Sequence, residues 1–99
     1  MSAIEQVPAE DWETWTDEND GLVLDVRNPD EWGAAILPGV EKISLPDLPT
    51  NLDRLDKDTP LLVMCRSGNR SQQAAKFLQA HGYQAANAAG GMKSLGLQD

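Results

Sequence analysis

The chain is short of most of the residues that carry chemistry. It has one cysteine, one histidine, one tyrosine and one phenylalanine in 99 residues. A single cysteine excludes an intramolecular disulfide and fits a reducing compartment. One histidine and one cysteine are too few for a zinc site, and no acidic cluster has a metal-ligand spacing, so no metal or cofactor is expected. Positive charge is also scarce: eight basic residues face sixteen acidic ones, for a net charge of −8. That balance argues against nucleic-acid phosphates or an anionic membrane surface as partner. No apolar run approaches the roughly 20 residues that span a bilayer. The opening "MSAIEQVPAEDWETW" has neither the basic nor the apolar region of a secretory leader, so a cytoplasmic location is expected. The length suits one small domain, residues 1–99, and internal repeats are lacking too.

What is present alternates. Pro8 and the acidic residues after it read as the start of a helix through "AEDWETWTDEN", with Trp12 and Trp15 on one face. "GLVLDV" reads as a buried strand, and "NPDEWGAA" as a short helix with Asn28 as N-cap and Pro29 at its first position. "EKISL" alternates like a strand, "PDLP" breaks it, and "TNLDRL" gives a helical turn or two. "PLLVMC" is the strongest strand signal. "SQQAAKFLQAHG" is a helix ending at Gly82, and "YQAANAAGGM" a weaker strand followed by a double-glycine turn. This order predicts an α/β fold with a mostly parallel sheet, in which ligands sit beyond the carboxyl ends of the strands.

Cys65 stands at one of those ends, in "LLVMCRSGNRS". Gly68 allows a tight turn, and the backbone N–H groups of Ser67 to Ser71 can converge as an anion-binding nest that opens a helix. With Arg66 and Arg70 beside it, a thiol facing that nest favours its thiolate, below the free value of about 8.5. The same donors, Arg66, Ser67, Gly68, Asn69, Arg70 and Ser71, can hold an anionic substrate or leaving group. A buried cysteine acting as a small hydrophobe is the plain alternative, but it needs no arginine-flanked nest. Arg70 lies at a helix entrance, where a cation is unfavourable unless an anion sits nearby. Asp25 and Arg27 end the first buried strand and read as braces of neighbouring loops, with Glu31 as a further partner.

"LVLDVRNPDEW", "LPGVEKISLPDL", "LLVMCRSGNRSQQAAKFLQAHGY" and "AAGGM", in this order, resemble a single-domain rhodanese, a thiosulfate or persulfide sulfurtransferase. The resemblance covers nearly all of the chain from Gly21 onward. It implies a three-layer α/β/α sandwich around a five-stranded, mostly parallel sheet. It implies that Cys65 is a nucleophile that carries sulfur as a persulfide cradled by loop amides. The donor would be a small sulfur-containing anion such as thiosulfate, and the acceptor cyanide, a thiol or a protein thiol. The residues depart from the family pattern at Ala35 and Ile36, where Gly-His is frequent, and at Leu95, where tryptophan is frequent. The end at Asp99 implies a short final helix. Related phosphatases place five residues between cysteine and arginine; here four separate Cys65 from Arg70, which suits sulfur better than phosphate. Two other readings stay open: a persulfide relay or protein-interaction module with little small-molecule turnover, and a redox sensor acting through Cys65 oxidation.

Overall fold

A computed structural model describes residues 3–96. Its elements in chain order are β1 (Glu5–Pro8), α1 (Trp12–Asn19), β2 (Leu22–Asp25), α2 (Pro29–Trp32), β3 (Glu41–Lys42), β4 (Leu61–Met64), α3 (Asn69–Ala80), β5 (Ala85–Ala89) and α4 (Gly91–Ser94). Short 3-10 helices at Ala9–Asp11, Leu45–Thr50 and Leu52–Arg54 fill three of the connections. The five strands form one sheet in the order β1-β5-β4-β2-β3, and every pairing is parallel. This is the α/β sheet expected from the alternation of strand and helix, with every connection crossing over a face.

Side-chain alternation along the strands builds the three layers. From β4, Leu61, Val63 and then Cys65 point to one face, where Ala74, Ala75 and Leu78 of α3 cover them together with Ile43 and Leu48. Leu62 and Met64 point to the other face, against Val7, Val23, Ala86, Ala88 and Met92, with Trp12 and Trp15 of α1 closing its edge. Two alanines on α3 leave no bulk between that helix and the sheet, so the helix start is held close above the β4 carboxyl end.

Two local expectations are corrected. Pro8 does not begin a helix; it ends β1, pairing with Ala89 on the edge of the sheet. An edge strand needs no N–H from its outer side, so proline is tolerated there. Only Val7 of β1 is buried, which leaves no alternating pattern to read. "EKISL" forms a strand only at Glu41–Lys42. Beyond it Ile43 N–H still donates to Asp25 O and Leu45 N–H to Val26 O, before the prolines at 46 and 49 turn the chain into 3-10 helix. The short final helix is α4; residues 97–99 lie outside the described residues. Among the described residues no helix is long and apolar enough to cross a membrane.

Candidate active site

Cys65 leaves β4 at the centre of the sheet, and the next residues fold back over its own sulfur. Gly68 adopts φ +100°, and its N–H donates to Cys65 Sγ at 3.1 Å. A side chain there would be strained by that φ and would press on the Gly90 amide. The loop is clamped from the other side by α4, whose first amides are otherwise unused. Met92 N–H donates to Cys65 O at 2.8 Å and Lys93 N–H to Arg66 O at 2.9 Å. Gly91 packs so tightly there that a Cβ would overlap the carbonyl oxygens of Cys65 and Arg66. The double glycine thus exists to let one helix start hold the cysteine loop.

The sulfur is covered, with Cys65 only 1% exposed. It sits at the end of the apolar cluster that includes Val63, Ala74 and Ala75, and receives the Gly68 N–H. Burial pushes the thiol pKa up. The Ser71 hydroxyl and the amides of Ser71, Gly68 and Ser67 push it down by more, and the net result is a lowered pKa. Ser71, fully buried on the first turn of α3, places its Oγ 3.3 Å from Sγ. The Ser71 hydroxyl has one proton and two acceptors in reach, the thiolate and Asn87 Oδ1 at 2.5 Å, and Asn87 Nδ2 donates to Gln6 Oε1 at 2.8 Å. A chain of polar side chains therefore runs from the sulfur across β5 to β1. Asn87 and Gln6 went unrecognised in the sequence, though a lone asparagine inside "AANAA" was a readable signal: a polar residue in a buried strand needs partners.

The two loop arginines differ. Arg66 is exposed on the crest of the loop, as are Ser67 and Asn69. Arg70 turns instead to Glu31 of α2, in a two-pronged pair with Nη1–Oε1 at 2.6 Å and Nη2–Oε2 at 2.9 Å. The carboxylate that a cation at the start of α3 calls for thus comes from 39 residues away. Arg70 holds the Glu31 carboxyl at a pKa of about 2. The charge on Cys65 in turn helps raise that of Arg70, after the larger effect of Glu31.

Asp25 and Arg27 form a buried ion pair. Arg27 Nε and Nη2 donate to the Asp25 carboxylate at 2.8–3.0 Å, both residues being buried. Arg27 also donates to the carbonyls of Glu31 at 3.3 Å and Ala35 at 2.6 Å, fixing α2 and the turn after it. Glu31 joins that pair through its main-chain carbonyl, and its carboxylate pairs with Arg70. That carboxylate also accepts the Asn28 N–H at 3.0 Å, securing the start of α2. Among the described residues no cluster of histidine, cysteine, aspartate or glutamate could hold a metal ion.

The chain as a whole is matched in known proteins. The rhodanese-like domain pattern fits residues 9–97. The chain belongs to the rhodanese family. Rhodanese relatives include a sulfurtransferase of Allochromatium vinosum, 33% identical over 67 residues, or 68% of this chain and 63% of that protein. The thiosulfate sulfurtransferase GlpE of Tolumonas auensis is 37% identical over 62 residues, 63% of this chain and 58% of its own. The chain spans less than two thirds of the length of both. The crystal structure of a rhodanese-like domain protein from Staphylococcus aureus superposes with a TM-score of 0.84 at 25% identity, covering 91% of this chain and 89% of that one. The three-layer rhodanese arrangement read from the sequence is the one observed.

Proposed function

We propose that the protein is a sulfurtransferase in which the Cys65 thiolate accepts a sulfane sulfur and passes it on. The observation that carries this reading is the sulfur held at 3.1 Å by the Gly68 N–H and at 3.3 Å from the Ser71 hydroxyl, with its pKa lowered. A preformed thiolate needs no general base, and no histidine lies in the loop. In the first step Sγ attacks the outer sulfur of thiosulfate; the new S–S bond forms as the old one breaks, leaving a Cys65 persulfide anion and sulfite. In the second, cyanide or a thiolate attacks the outer sulfur of that persulfide and the Cys65 thiolate departs. The loop amides oppose the charge on sulfur in both states. Arg66, Ser67 and Asn69, exposed around the loop, are the groups that meet the incoming anion, and Asp25 with Arg27 keeps α2 in place beside it.

Mass spectrometry tests this directly. Incubation with thiosulfate or glutathione persulfide is expected to add one sulfur atom to Cys65, and later cyanide to remove it as thiocyanate. Cys65→Ser should neither load nor transfer sulfur. Undiminished transfer by that variant would end the proposal.

A further inference from the structure

The pairing of Arg70 changes what kind of sulfur donor the loop can welcome. In an anion-binding loop the two arginines are the obvious counter-charges, yet Arg70 already has one. Both of its terminal nitrogens are engaged by Glu31, and the pair is only partly exposed, with side-chain exposures of 31% and 18%. The carboxylate is not free to swing aside. Asn28 N–H holds one of its oxygens at 3.0 Å, and Arg27 holds its main chain from below. With its carboxyl held at a pKa of about 2, Glu31 is ionised at neutral pH. Arg27 answers Asp25 and Arg70 answers Glu31, which leaves the exposed Arg66 as the loop arginine without an ion pair among the described residues. A dianion approaching that sulfur meets little net attraction, while a donor that is neutral at its reacting end is not penalised.

We propose that Glu31 sets the choice of sulfur donor: by engaging both terminal nitrogens of Arg70 it withholds that guanidinium from dianions such as thiosulfate and leaves the loop matched to hydropersulfides. This rests on the sulfur-transfer reading above and narrows its substrate class. With a protonated hydropersulfide R–S–SH, the Cys65 thiolate attacks the terminal sulfur, the donor's S–S bond breaks, and R–S⁻ leaves; Cys65 retains S–SH, so proton and charge balance without a base. The thiosulfate reaction instead expels a dianion, sulfite, into a loop whose second arginine is occupied. Glu31 acts through Arg70 and touches no reacting atom, so it is a specificity-determining residue and not a catalytic one.

The test is Glu31→Gln, which keeps an oxygen for the Asn28 N–H and removes only the charge. Steady-state rates are measured with thiosulfate and with glutathione persulfide, cyanide being the acceptor for both. The expected result is a kcat/KM for thiosulfate raised about tenfold, mostly through KM, with that for glutathione persulfide changed less than about twofold. Equal changes for the two donors, or a loss with thiosulfate, would overturn the proposal. A second readout needs no turnover: sulfite should protect Cys65 from iodoacetamide at a several-fold lower concentration in Glu31→Gln than in the natural chain. Unchanged protection also counts against the role of Glu31. If neither donor loads sulfur on Cys65 in the natural chain, the sulfur-transfer reading fails, and the protection assay still reports whether Glu31 withholds Arg70.

Discussion

Two arginine–carboxylate pairs lie within one loop of each other and behave differently. Asp25 and Arg27 are two residues apart, with side chains 2% and 0% exposed, and the arginine also donates to the main-chain carbonyls of Glu31 and Ala35. Glu31 and Arg70 come from separate helices and stay partly open to solvent. The first pair has been removed from water, so each charge depends on the other; its work is to fix the shape of α2 and the turn after it. The second remains partly solvated, contributes little to stability, and lies near the sulfur, where its charge bears on chemistry. The same two chemical groups thus sit in different surroundings, one pair buried and the other partly exposed. Arg27 links them, because its bond to the Glu31 carbonyl positions the helix that presents the Glu31 carboxylate.

The contrast can be broken most severely at Arg27. Arg27→Ala leaves the Asp25 carboxylate buried without its partner and should destabilise the fold by about 3–5 kcal/mol, read as a lowered midpoint in urea unfolding. A loss under about 1 kcal/mol would mean the pair is not the brace described here.

Ser71→Ala probes a residue that is buried like Arg27 but touches the sulfur. It strands Asn87 Oδ1 and should cost about 1–3 kcal/mol. It should also raise the Cys65 pKa, slowing alkylation at pH 7, which a purely structural serine would not do. An unchanged alkylation profile would remove Ser71 from the site.

At Arg70 the stability effect should be smaller. Arg70→Ala is expected to cost about 1 kcal/mol or less, while leaving the Glu31 charge unanswered near Cys65 and so raising the thiol pKa. Its pH dependence carries a sign. Because the folded pKa of Glu31 is lowered to about 2, its contribution is fully present above the unfolded value of about 4.5 and fades as pH falls from there towards 2. Comparing acid unfolding of the natural chain with Glu31→Gln should show the two converging in that window. A difference that persists at pH 2 would place the effect elsewhere.

The same division explains what could be read in advance. "LLVMCRSGNRS" announced a strand, a turn and a helix start, because four apolar residues, a glycine and a run of helix formers are local signals. Cys65 facing its own loop amides followed from that geometry. The need for an anion near Arg70 was also legible, from its place at a helix entrance. Its identity was not, since Glu31 lies 39 residues earlier and reaches Arg70 only once α2 has packed beside α3. β1 was invisible for a different reason: with Val7 its only buried residue, its strand character comes from pairing with β5 and not from its own sequence. The route from Ser71 to Asn87 and Gln6 likewise joins three elements brought together only by the sheet order.

The central claim is that the loop keeps the Cys65 sulfur ionised and ready to take up a second one. The most direct measurement is the rate of Cys65 alkylation by iodoacetamide as a function of pH, since only the thiolate reacts. A midpoint below the free-cysteine value of about 8.5 is the predicted result. A midpoint at or above that value would show that burial outweighs the amides and the Ser71 hydroxyl, and would contradict the account at its base.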